Sequence, residues 1–87
     1  MPKSYIINLP KSVAKELKKI PIPWRERMVR SIDQLIYNPN LGEKMRGDYR
    51  YYRKVRVWPY RVVYRVDEKK KEIVVVEIGH RGGMSYK

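Results

Sequence analysis

The stretch that most constrains this chain is residues 49–66, YRYYRKVRVWPYRVVYRV, in which six Lys or Arg alternate with tyrosines and valines. Its period is two, not 3.6, so it predicts two β-strands meeting at Trp58-Pro59. With those residues as the loop, Val57 pairs with Tyr60 and Arg56 with Arg61. One face of the ribbon then carries Tyr52, Lys54, Arg56, Arg61, Val63 and Arg65. The other carries Tyr51, Arg53, Val55, Val57, Tyr60, Val62, Tyr64 and Val66, and is nearly all apolar.

Solvated Lys and Arg are common on an open sheet face. Like charges directly opposite one another nevertheless destabilise a sheet, and a bland surface would mix in acids. A local rule broken in this way is expected where a partner supplies the missing charge. The whole chain agrees, with a formal net charge of +12 in 87 residues. The charge is uneven: +5 over residues 1–38, +6 over 39–66 and +1 over 67–87. This balance points to a polyanion, whether nucleic acid, an anionic membrane or an acidic protein.

The length suits one small domain, residues 1–87, with a simple core. There is no cysteine, which fits a cytoplasmic protein and excludes thiolate chemistry. One histidine and no cysteine argue against a protein-only metal site, and no cofactor is expected. The longest aliphatic run, Ile73 to Val76, is far too short to span a membrane, and no signal-peptide pattern precedes it.

Residues 4–9 read as a short strand. Val13, Leu17 and Ile20 form the apolar stripe of a helix from about Lys11, and Pro21-Ile22-Pro23 breaks it. A second helix from about Trp24 to Tyr37 is expected to bury Trp24, Met28, Val29, Ile32, Leu35 and Ile36, with Pro23 at its first position. Its polar side mixes Glu26 and Asp33 with arginines, which argues against a DNA-reading helix-turn-helix. Asn38 to Gly42 ends it, and Glu43 to Gly47 leads into the hairpin. A charged turn, Asp67 to Lys71, precedes the last strand, Glu72–Gly79. With Val66 opposite Glu72, residues Val74, Val76 and Ile78 join the apolar face, while Ile73, Val75 and Glu77 join the cationic one. Glu77 then falls opposite Arg61. Continuing past Gly79 puts Arg81 on the cationic face and His80 on the other. The fold class is α+β in the order β-α-α-β-β-β, with a helical hairpin on one face of a mainly antiparallel four-stranded sheet.

No triad, phosphate loop or carboxylate pair is present. The basic face offers Lys54, Arg56, Arg61, Arg65 and Arg81, with Tyr52, Tyr86, Glu77 and His80 nearby. Cleavage of RNA by its own 2′-hydroxyl needs a base, cations for the phosphorane charge and an acid for the leaving oxygen. A lysine amine is one such base, which makes Lys54 the candidate for that role. Arginine gives bidentate phosphate contacts and tyrosine a stacking surface for an unstacked base. A phosphate-binding face without catalysis has the same composition.

The segments EKMRG, YRKVRVWPYRVVYRV and VVVEIGHRGGMSY within residues 43–86 resemble the RelE toxins of the RelE/ParE superfamily. The helical hairpin with EL-KKIP and the NPN-LGEK junction extend the resemblance over nearly the whole chain. It implies a RelE-like fold and a type II toxin that is a metal-independent, ribosome-dependent mRNA endoribonuclease. Its implied partners are mRNA in the ribosomal A site and an acidic RelB-like antitoxin. By position, Arg61 matches the family's transition-state arginine, and Arg81 its phosphate-binding arginine, which also serves as acid. Tyr86 matches the tyrosine that stacks on the nucleotide. Lys54 matches one of two strand lysines, and Tyr52 stands in place of the other. Arg56 matches a further basic position; Arg65 and His80 complete the expected RNA-binding set. Two alternatives share the features: a ParE-like toxin that inhibits DNA gyrase by binding, and a non-catalytic RNA-binding module.

Overall fold

A computed structural model describes residues 5–49 and 51–80. The elements run β1 (Ile6–Asn8), α1 (Lys11–Lys19), α2 (Trp24–Leu35), β2 (Glu43–Lys44), a 3₁₀ turn (Gly47–Tyr49), β3 (Tyr52–Val57), β4 (Tyr60–Asp67) and β5 (Glu72–His80). They form one five-stranded sheet in the order β1-β5-β4-β3-β2. Only β1 runs parallel to its neighbour, β5; the other pairings are antiparallel. The expected α+β class is therefore observed. A fifth strand is added by Glu43 and Lys44, which pair with Lys54 and Arg53. Two residues are too few for alternation to show in the sequence, and those two lay in the expected lead-in.

Both helices form where the 3.6-residue period places them. Val13 and Ile20 of the first stripe are buried, with Leu17 packed beside them. Lys18 and Lys19 lie in the last turn of α1, where cations suit the helix dipole. The guanidinium of Arg25 donates to the Lys18 carbonyl at 3.2 Å, tying the start of α2 to the end of α1. Pro23 is the N-cap of α2, one place earlier than expected.

Met28, Ile32 and Leu35 of α2 are buried against Val57, Val62, Tyr64, Ile73, Val75 and Ile78 of the sheet. Full burial of one such aliphatic side chain contributes about 1.5–3 kcal/mol, so this layer supplies the main stabilisation. Trp24 and Val29, expected in the core, are instead exposed, at 36% and 39%. They flank the stripe, and a sheet this small leaves the flanks of a helix uncovered.

The β3–β4 hairpin has the register that the alternation predicts, Val57 opposite Tyr60 and Arg56 opposite Arg61, with Trp58-Pro59 as its turn. The β4–β5 register differs. Asp67, not Val66, stands opposite Glu72, so Val66 faces Ile73 and Tyr64 faces Val75. A one-residue slip turns every side chain to the other face. Ile73 and Val75 are thus fully buried in the core, while Val76 is exposed. The register then shifts between Val63 and Tyr64, because Val76 is an extra residue in β5. That bulge restores the original parity, so Ile78 returns to the core and Glu77 to the open face. Glu77 consequently stands opposite Val63 and not Arg61, whose partner is Gly79.

At the far end of the sheet, the Tyr5 hydroxyl donates to Glu68 at 2.7 Å and Lys71 sits over the Tyr5 ring at 5.3 Å. Lys71, at φ 53°, takes the left-handed conformation in the β4–β5 turn and gives its carbonyl to the Ile6 N–H. These contacts dock β1 beside β5, away from the hairpin tip.

Candidate functional site

The helices cover one side of the sheet, and the ladder sorts the other side into three rows. The middle row is Glu43, Lys54, Val63 and Glu77, taken from β2, β3, β4 and β5. Towards the hairpin turn lies the row Arg56, Arg61 and Gly79; on the other side lies Tyr52, Arg65 and Val74. Tyr52, Lys54, Arg56, Arg61 and Arg65 are therefore brought together on one face, as the alternation predicts. Arg56 is exposed and the other four are half-buried. His80 occupies the register position opposite Tyr60; its side chain lies outside what is described, as do Arg81 and Tyr86 altogether.

Val63 forms the floor of this face. It is 1% exposed, yet it stands apart from the core cluster on the helix side. The long side chains around it must cover it, which is how Lys and Arg stems bury apolar surface while keeping their heads in solvent.

The face is less uniformly cationic than the hairpin alone implies. Glu43 stands directly across from Lys54, and its carboxylate is 4.0 Å from the Arg56 guanidinium. Glu77 closes the same row beyond Val63. Lys54 therefore lies in a row with a carboxylate at each end; Glu77 is on the face where the sequence puts it, and Glu43 is the acid that the expectation lacked. Glu43 is the residue that sequence reasoning missed, because a two-residue strand leaves no alternation in the sequence to reveal it.

The strap from α2 to β2 is fixed from beneath. The Tyr64 hydroxyl accepts the Gly42 N–H at 2.8 Å and donates to the Pro39 carbonyl at 2.7 Å. Arg53 lies on the helix side of β3, where its guanidinium donates to the Gly42 carbonyl at 2.8 Å. Burial pushes the Tyr64 phenol above its ordinary value, while the Gly42 hydrogen bond and the Arg53 charge pull it back down. Tyr51, which strict alternation puts on the apolar face, is 73% exposed because β3 begins only at Tyr52.

Among the described residues no group of three or more His, Cys, Asp or Glu is placed to hold a metal ion. No helix among them is long and apolar enough to cross a membrane. What the face offers chemically is a lysine amine, a cross-strand arginine pair, two carboxylates and an aromatic edge.

Solved structures share this fold. The RelE–RelB complex of Pyrococcus horikoshii superposes with a TM-score of 0.73 at 27% identity, over 93% of this chain and 99% of that one. The isolated RelE toxin of E. coli gives 0.79 at 24% identity, over 88% and 84% of the two chains. The RelBE2 toxin–antitoxin complex of Mycobacterium tuberculosis gives 0.79 at 22%, over 90% and 92%. A comparison with curated proteins finds no match. The family model described as the ParE toxin of the type II toxin–antitoxin system parDE matches residues 7–84. With that match across most of the sequence and the RelE fold in its structural neighbours, the chain belongs to the ParE toxin family, within the RelE/ParE superfamily of type II toxins.

Proposed function

We propose that this toxin is a ribosome-dependent endoribonuclease that cleaves mRNA in the A site. The observation that carries the reading is that Lys54, Arg56 and Arg61 share one face of the β3–β4 hairpin, with Lys54 opposite the buried Val63 and Arg56 opposite Arg61. In the proposed reaction Lys54 removes the 2′-hydroxyl proton, and the 2′ oxygen attacks the adjacent phosphorus. Arg61 holds the charge that builds on the phosphorane, the role in which preorganised donors contribute most. The bond to the 5′ oxygen breaks, and that oxygen leaves with a proton supplied by Arg81. The products are a 2′,3′-cyclic phosphate and a 5′-hydroxyl, so no metal or cofactor is required.

Tyr86 stacks on the substrate base, while Tyr52, Arg56, Arg65 and His80 hold the RNA. Arg61 is level with Gly79, two residues before Arg81 in the chain, which supports their joint use. This reading assigns no His/Glu pair to acid–base roles, so positioning by the ribosome supplies part of the proximity that the reaction needs. The 87 residues act as one toxin domain in the cytoplasm, where mRNA and ribosomes are found.

The antitoxin proposed is an acidic RelB-like protein. A +12 chain repels itself, and an acidic partner relieves this while associating quickly. The P. horikoshii neighbour is itself a RelE–RelB complex.

The family model that matches is that of a ParE toxin, which keeps open the second reading, a ParE-like toxin that inhibits DNA gyrase by binding. Primer extension on an mRNA with and without programmed ribosomes separates the two, run beside a gyrase supercoiling assay. The nuclease reading predicts new 3′ ends only with ribosomes and unchanged supercoiling. Loss of supercoiling without cleavage supports the gyrase reading, and equal cutting of naked mRNA removes the ribosome requirement.

A further inference from the structure

We propose that the hairpin tip is a nucleotide subsite, in which Trp58 stacks on an RNA base while Arg56 and Arg61 hold the adjoining phosphate. The inference rests on the reading of this face as an RNA site, and it adds a place for a second nucleotide beside the reacting one.

Three observations meet at the tip. Trp58 is 68% exposed, although an indole is among the side chains with most to gain from burial. A pocket of about 130 Å³ opens beside it, lined by Arg56, Trp58, Tyr60 and Arg61. The two arginines are direct cross-strand partners, so an anion lying between them meets two guanidinium groups. A pocket with an aromatic wall and a paired-guanidinium wall suits a ligand that is itself part planar ring and part anion. A nucleotide of single-stranded RNA has that composition, since its base stacks on aromatics and its phosphate pairs with arginine.

The tip is also well supported. Val57, just before the turn, is in the core at 9% exposure and pairs with Tyr60. The indole is therefore held on a rigid hairpin and not on a long loop, so little conformational freedom is lost when a base lands on it. A flat stacking surface has no hydrogen-bond pattern to read, so the subsite tolerates any base and favours those that stack strongly.

The test is a fluorescence titration of the full chain carrying Trp24→Phe, which leaves Trp58 as the only indole. The probe is a 2′-O-methylated RNA hexamer, which is bound but lacks the attacking hydroxyl. The expected result is quenching of Trp58. Affinity should fall roughly 5- to 150-fold in Trp58→Ala, the range for loss of one base–aromatic stack. Trp58→Phe should retain most of the affinity. The slope of log Kd against log salt should stay the same, because no phosphate contact is removed. An abasic oligomer of equal length should bind the parent weakly and lose nothing further in Trp58→Ala.

Unchanged affinity in Trp58→Ala overturns the subsite, as does equal binding of the abasic oligomer. A reduced salt slope also overturns it, because the arginines were then displaced by the substitution. Quenching by polyglutamate as strong as by RNA assigns the tip to an acidic protein instead. The readout is separate from cleavage. Stacking without ribosomal cutting contradicts only the nuclease reading, and cutting with unchanged hexamer affinity in Trp58→Ala contradicts only the subsite.

Discussion

Tyr64 accepts a hydrogen bond from the N–H of Gly42 at 2.8 Å, and through that contact a core residue sets the edge of the basic face. Gly42 immediately precedes β2, so its position fixes Glu43 opposite Lys54. A Cβ at residue 42 would meet the Tyr64 hydroxyl at 2.7 Å and the Lys54 carbonyl oxygen at 2.9 Å. The second of these is backbone and cannot rotate away. Gly42→Ala is expected to destabilise the fold by about 1–3 kcal/mol, the usual cost of overpacking. Urea denaturation measures it, and a midpoint equal to that of the parent would show that the strap is loosely held.

Tyr64→Phe keeps the ring but leaves the Gly42 N–H and the Pro39 carbonyl without their side-chain partner. A loss of about 1–3 kcal/mol is expected for the buried groups left unmade. A pH signature should accompany it. Burial raises the Tyr64 phenol, and the Tyr5 phenol is raised mainly by its hydrogen bond to Glu68. Folding therefore favours the protonated phenols. The stability they contribute is complete below their ordinary value of 10.0 and is lost as pH rises through the higher folded values. Melting temperature should fall more steeply above pH 10 in the parent than in Tyr64→Phe; identical alkaline slopes would contradict the assignment.

Glu43 tempers the charge of the face beside Lys54 and Arg56. Glu43→Gln removes that carboxylate, so affinity for single-stranded RNA should rise by a few-fold at low salt and by less at high salt. Single-turnover cleavage at saturating ribosome should change little. A fall of 10²-fold or more, the order seen on loss of a general base, would instead make Glu43 the proton acceptor.

Lys54→Arg distinguishes proton transfer from charge. Arginine keeps the phosphate contact but stays protonated at working pH, so it cannot accept the 2′ proton as a base. Ribosome affinity should be preserved while the chemical step slows by roughly 10²–10⁴-fold. Cleavage at the parent rate would leave Lys54 as an electrostatic contact and direct the search for the base to the two carboxylates of its row, Glu43 and Glu77.

How far the sequence reveals this arrangement depends on where its signals alternate. In β3 and β4, valine and tyrosine alternate with lysine and arginine on both sides of Trp58-Pro59, so parity and register are legible together. In β5 the run Ile73 to Val76 is apolar at every position, and nothing in it says which residues face the helices. Its parity is set by the β4–β5 turn, whose length decides the register, and by the bulge at Val76, which no composition announces. The two departures cancel at Glu77 and Ile78, which is why those residues face as expected. Trp24 and Val29 were misplaced because apolar character marks a helix face but not how much sheet lies beneath it. Glu43 is placed only by its pairing with Lys54, eleven residues further along the chain. The Tyr64 contact to Gly42 likewise joins positions far apart in the chain.

Under the proposed function, specific cations on this face, and not the overall charge, perform the cleavage. The most direct test is the single-turnover rate of mRNA cleavage on programmed ribosomes, measured at saturation for the parent, Arg61→Ala and Lys15→Ala. Lys15 is exposed on α1, on the helix layer that covers the opposite side of the sheet, and its removal costs the same single charge. A loss of roughly 10²-fold or more is expected for Arg61→Ala, the usual effect of deleting one transition-state donor, and a nearly unchanged rate for Lys15→Ala. Equal losses in the two variants, or no ribosome-dependent cleavage by the parent, would contradict it.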